Sequence, residues 1–212
     1  MIRILLVEDQ SIVRQGLKMI IEQDQQLKVV GEAENGLEAI KRLEHQHVDI
    51  ILMDIRMPIM NGIEATHKIK QRWPFMKILI LTTFNDEEYA INTLKEGASG
   101  FLLKTSDGPK LIHSIKSCLD GGIAIHDQVA AKVMPKLLDK PIEKEKSTSI
   151  PLTPREITIT RLIGQGKTNK EISSELFLSI GTVKNHITQI LLKLELRDRT
   201  QLAIFAVKND LY

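Results

Sequence analysis

Short apolar runs recur through the first half of the chain, at 2–7, 28–33, 49–53, 77–81 and 100–103, each followed by a segment long enough for a helix. In the third run Ile50, Ile51, Leu52 and Met53 are apolar without alternation, as a parallel strand covered on both faces requires. The intervening segments carry helix-start signatures. Asn35 with Glu38, and Asn85 with Glu88, each pair a capping side chain with an acid three residues on. Pro109, just after Asp107 and Gly108, opens a further helix where its missing N–H costs least. Five strands alternating with five helices predict an α/β fold, a doubly wound five-stranded parallel sheet with right-handed crossovers. Five such units usually take the order 2-1-3-4-5, which puts the switch point between strands one and three.

After Gly121 and Gly122 the pattern stops. Residues 139–151, DKPIEKEKSTSIP, are charged, proline-flanked and poor in apolar side chains, a composition that cannot support a core. Three parts are therefore expected: a sheet domain at 1–122, a mobile linker at 123–149, and a second, smaller all-α domain at 150–212. In the last part Thr153, Pro154 and Glu156 form one capping box, and Thr168 with Glu171 another. Ser179 precedes a third helix whose Val183, Ile187, Ile190, Leu191 and Leu194 recur at helical spacing, and Asp198 with Gln201 opens a fourth. Only Phe177 to Ser179 join the second and third helices, as a helix-turn-helix demands.

The 212 residues suffice for two cores, and 42% apolar with 26% charged is an ordinary soluble composition. No run approaches the roughly 18 apolar residues of a membrane span and no signal-peptide layout opens the chain, so a cytoplasmic protein without a membrane partner is expected. The single cysteine, Cys118, lies in an apolar helical pattern and is read as a packing residue. The net charge of +2 is unevenly spread: 15 Lys/Arg face 17 Asp/Glu over 1–122, whereas 9 face 6 over 150–212. A basic C-terminus hints at a nucleic-acid partner there.

One carboxylate, Asp54, stands where the third run stops, and ligands of open α/β sheets bind beyond the carboxyl ends of strands. Glu8 and Asp9 end the first run, Thr82 the fourth and Lys104 the fifth, so all converge on one sheet edge. Three neighbouring carboxylates favour a hard divalent cation such as Mg²⁺. An ammonium and a hydroxyl beside them suit a phosphoryl group, with Asp as nucleophile forming an aspartyl phosphate.

At EDQ (8–10), MDIRMP (53–58), LTT (81–83) and GFLLK (100–104), the N-terminal half resembles the receiver domain of bacterial two-component response regulators, a flavodoxin-like fold. The resemblance implies that a sensor histidine kinase phosphorylates Asp54. It further implies that Asp9, Asp54 and the backbone carbonyl of Arg56 bind Mg²⁺, with Glu8 holding the ion through water. Thr82 and Phe101 match the family's switch pair, and Lys104 its phosphate-binding lysine. Glu8 stands where many receivers have Asp, and Thr105 where many have proline. A cis peptide before Thr105 would cost roughly 3 kcal/mol.

In the third C-terminal helix Lys184, Asn185, Thr188 and Lys193 lie off the apolar face. Asn can read adenine in the major groove, and Lys can read guanine or hold a phosphate. LTPRE (152–156), GKTNKEIS (166–173) and GTVKNHI (181–187) resemble the LuxR-type helix-turn-helix, which with a receiver is similar to the NarL/FixJ subfamily. That implies groove contacts from Lys184, Asn185 and Thr188, phosphate contacts from Thr182, Lys193, Arg197 and Arg199, and double-stranded promoter DNA as ligand. It also implies a homodimer when phosphorylated, with the surplus apolar surface of the last helix as part of the contact, and RNA polymerase as a possible partner.

The leading expectation is a transcription regulator, not an enzyme, switched through Asp54. A receiver that dimerises without responding to phosphate is a second reading, opposed by the complete acidic set. A haloacid-dehalogenase-like phosphohydrolase is a third. It would need a second acid two residues after the nucleophile, where this chain has Arg56, and a cap domain that the chain lacks.

Overall fold

The computed structural model describes residues 1–82, 92–122, 124–125, 151–209 and 211. The Asn85/Glu88 helix start and nearly all of the expected linker lie outside them. The first half alternates β1 (Ile2–Val7), α1 (Ser11–Ile21), β2 (Leu27–Ala33), α2 (Gly36–His45), β3 (Ile50–Asp54), α3 (Gly62–Arg72), β4 (Lys77–Thr82), β5 (Gly100–Leu103) and α4 (Gly108–Leu119). All strand pairs are parallel, and the order is β2-β1-β3-β4-β5, as the alternation requires. The sheet gains a two-residue strand that no pattern announced, β6 (Ala124–Ile125), parallel to β5.

Each strand divides its side chains between two cores, because successive residues point to opposite faces. Leu5, Val7, Ile51, Met53, Ile80 and Phe101 pack on the face covered by α2 and α3. Ile4, Leu6, Ile50, Leu52, Leu81 and Leu102 pack on the face covered by α1 and α4. Both faces being dry, the strands read as continuous apolar runs. Cys118 of α4 is fully buried in the second core, and burial pushes its thiol up to about 11, so it is a packing residue here.

The C-terminal helices are α5 (Pro154–Gly164), α6 (Asn169–Leu176), α7 (Ile180–Lys193) and α8 (Arg199–Lys208). Both expected capping boxes form: Thr153 and Thr168 accept from the backbone N–H of Glu156 and Glu171, whose carboxylates accept in return. Phe177, in the left-handed region at φ 54°, closes α6, and Ser179 caps α7 three residues after it ends. Val183, Ile187, Ile190 and Leu191 form the buried stripe of α7. Among the described residues no helix is long and apolar enough to cross a membrane.

Candidate phosphoryl site and nucleic-acid surface

Register places the chemistry in one row. Val7 pairs with Met53, Asp54 with Leu81 and Thr82 with Leu103, so the residues ending or following β1, β3, β4 and β5 share the carboxyl edge. Carboxylate oxygens of Glu8, Asp9 and Asp54 lie within 4.8 Å of one another. The Lys104 ammonium bridges two of them, 2.7 Å from Glu8 Oε2 and 2.9 Å from Asp54 Oδ2. Glu8 and Asp54 are almost completely buried, whereas Asp9 is half-buried with its Oδ1 enclosed and, among the described residues, lacking a hydrogen-bond partner. Burial raises the carboxyls of Glu8 and Asp54 above their usual range, against the pull of Lys104. Lys104 itself is held above its ordinary value by the same two acids despite its burial. Such a cluster has surplus negative charge and an unsatisfied oxygen, which suits a hard cation with oxygen preference.

The backbone around Asp54 is tightly fixed. The Ile55 N–H donates to Asp54 Oδ1 at 2.8 Å, and the Gly62 N–H closes the following loop on the Ile55 carbonyl at 2.9 Å. A Cβ at Gly62 would lie 2.2 Å from the Asp54 carbonyl oxygen, so only glycine fits. Within this loop Ile59 is exposed at φ 67°, strained for a β-branched residue. The Arg56 side chain is exposed, and the peptide after Lys104 is trans. Thr82 is buried at the edge, its carbonyl accepting from the Lys104 N–H at 2.7 Å, and the Phe101 ring is fully buried one strand over.

Arg14 is a member that sequence reasoning missed. Its guanidinium donates to the Glu8 carbonyl at 2.6 Å and pairs with Glu32 and Glu34, tying the end of β1 to β2. An arginine in the first turn of a helix gives no sequence signal of this.

On α7, Lys184, Asn185 and Thr188 are exposed off the buried stripe. The other nominated residues are more engaged. Lys193 reaches both oxygens of the buried Glu156 at 2.7 Å, Arg199 donates to Asn169 Oδ1 at 2.9 Å and to the Lys167 carbonyl, and Thr182 shares a hydrogen bond with the Ser179 cap. Arg197 is exposed. On α8, whose apolar surplus suggested a second copy as partner, Ile204 packs against the sheet-domain core in this structure.

An acidic cluster with a bridging lysine at the switch point of a 2-1-3-4-5 sheet, followed by a helix-turn-helix, defines a two-part signalling protein with a DNA-binding module. Residues 4–116 match the response regulator receiver domain, and 150–206 match the bacterial regulatory proteins of the luxR family. The chain is 40% identical to the transcriptional regulatory protein LnrK of Bacillus subtilis (strain 168), over 98% of this chain and 97% of that protein. To LiaR of the same organism it is 41% identical, over 100% and 99%. The crystal structure of the response regulator ChrA in a heme-sensing two-component system, 30% identical, covers 100% of this chain and 98% of that one with a TM-score of 0.55. This chain is a two-component response regulator with a receiver domain and a LuxR-type helix-turn-helix, a transcription regulator of the NarL/LuxR family.

Proposed function

We propose that this regulator accepts a phosphoryl group on Asp54 from a sensor histidine kinase and thereby changes its grip on promoter DNA. The observation that carries the reading is the Lys104 ammonium lying between Asp54 and Glu8, beside an Asp9 oxygen that has no partner among the described residues. In the transfer an Asp54 carboxylate oxygen attacks phosphorus, the new P–O bond forms, and the P–N bond to the donor's imidazole breaks, with the electron pair returning to the ring. Lys104 shifts from its carboxylate partners to the incoming phosphoryl oxygens, neutralising their charge. Thr82, at the neighbouring strand end, supplies a hydroxyl to the phosphorylated state, with Phe101 filling the space behind it. Asp9, Asp54 and the Arg56 carbonyl would hold Mg²⁺, with Glu8 acting through water. The ion would supply positive charge to the transferring group.

The reading extends to a cytoplasmic protein organised as receiver 1–122, linker 123–149 and DNA-binding domain 150–212. Lys184, Asn185 and Thr188 would enter the major groove, with Thr182, Lys193, Arg197 and Arg199 near phosphates. A phosphorylated homodimer would grip two half-sites, and contact with RNA polymerase would follow at the promoter. Hydroxylamine-labile labelling by radiolabelled acetyl phosphate with Mg²⁺ is the test. The wild type should label and Asp54→Asn should not; an Asn variant that still labels would remove Asp54 from the role.

A further inference from the structure

The two halves meet around a cavity of about 300 Å³, bordered by Lys70 and Lys77 of the receiver and by Lys184, Arg197 and Arg199 of the helical half. Direct contacts flank it. The Thr200 hydroxyl donates to the Ala98 carbonyl at 2.8 Å, and the Asn169 N–H donates to the Asp120 carbonyl at 3.0 Å. Gly97 approaches so closely that a Cβ there would fall 2.3 Å from Asp198 Oδ2.

Five cationic side chains thus border one cavity, and among the described lining residues the single carboxylate, Asp198, already spends Oδ1 on capping α8 through the Gln201 N–H. Among the described residues none of Lys70, Lys77, Lys184 and Arg199 forms an ion pair. Lys70 donates to the Pro74 carbonyl at 3.3 Å, and Arg199 bonds only neutral oxygens. Desolvation draws Lys70 down to about 8, Asp198 offsetting a part, and Arg199 down to about 10. Lys77 is lowered by burial too, with Arg199 and Lys184 adding to the effect and Asp198 offsetting a part.

Basic residues on α7 are expected of a DNA-reading helix. Lys70 and Lys77 are not part of it, yet they face it, and like charges set against each other across a contact oppose that contact. Asp198 offsets a part of this, and an anion held between the lysines and α7 would turn the remainder into attraction. We propose that this cavity binds a phosphoryl oxyanion, free phosphate or the phosphate end of a nucleotide, clamped by Lys70 and Lys77 from one side and by Lys184 and Arg199 from the other. A guanidinium fork and ammonium groups are the donors such a group takes. Binding does not depend on the role proposed for Asp54. Its consequence, that the ligand holds the halves closed and occupies Lys184 at the expense of DNA, rests on the assignment of Lys184 to the DNA surface.

The test is calorimetric titration of the full chain with orthophosphate and, separately, ADP, in EDTA and at ionic strength held constant with sodium chloride. One saturable site per chain is expected. The double variant Lys70→Gln/Lys77→Gln should weaken it by about tenfold or more, the scale of charge-assisted hydrogen bonds. Lys104→Gln, which alters the receiver's other lysine pocket, should leave it in place. Saturation by orthophosphate marks a free oxyanion as sufficient, and saturation by ADP alone marks a nucleotide; both support the site. Gln is one atom shorter than Lys but stays polar, and it removes charges that no described carboxylate pairs; each single variant should show a partial loss. Binding that survives the double substitution, that vanishes with Lys104→Gln, or that no probe shows above chloride would overturn the proposal.

Discussion

Replacing Asp54 with asparagine should stabilise the ion-free protein. Carboxylate oxygens within 4.8 Å repel by at least about 3.5 kcal/mol per pair at an effective dielectric of about 20, and Asp54 faces two such neighbours. Lys104 at 2.9 Å returns about 6 kcal/mol on the same scale. The balance is slightly repulsive, and the desolvation of a buried carboxylate adds to it. Asparagine keeps an oxygen for the Ile55 N–H and removes the charge. We expect a gain of about 1–3 kcal/mol, or roughly 2–4 °C of melting temperature per kcal/mol for a chain of this size. The assay is thermal unfolding in EDTA and again in millimolar Mg²⁺. The ion should raise the wild type, by about 2.7 kcal/mol at a hundred times its dissociation constant, and raise the variant much less. A variant that melts below the wild type in EDTA, or gains equally from Mg²⁺, would refute the electrostatic account of the cluster.

Other outcomes follow from the same geometry. Phe101→Ala empties a fully buried ring site and should cost about 3–5 kcal/mol in denaturant unfolding; a loss under 1 kcal/mol would mean the ring does not fill the core. Glu156 is held below its usual value by Lys193 and by the Thr153 N–H, so the stability it lends is present above about pH 4.5 and lost as pH falls through the lowered value. Glu156→Gln should flatten that part of the acid-unfolding curve, and an unchanged slope would contradict the assignment. Lys184→Ala should weaken specific DNA by roughly 1–3 kcal/mol if the lysine reads a base, or weaken all DNA alike with a shallower salt slope if it holds a phosphate. Unchanged affinity for both would remove it from the interface.

What could be read from the sequence was local. Strand runs, capping boxes and the stripe of α7 are patterns within a few residues, and the strand order follows from their alternation. The convergence of Glu8, Asp54, Thr82 and Lys104 was legible because parallel strands bring their ends to one edge. What escaped depended on neighbours distant in the chain. The Arg14 hydrogen bond to Glu8, the diversion of Lys193 onto buried Glu156 and the packing of Ile204 on the receiver are set by tertiary placement. So is the basic cavity, since Lys70 and Lys184 carry no sequence sign of facing each other. β6 escaped because two residues are too few to form a pattern.

Whether the acidic pocket controls the helix-turn-helix is decided by DNA affinity measured beside solution mass, with and without beryllofluoride and Mg²⁺. The wild type should become a dimer and bind operator DNA more tightly when loaded, and Asp54→Asn should do neither. Affinity and mass that stay the same on loading, or that change equally in the Asn variant, would contradict that control.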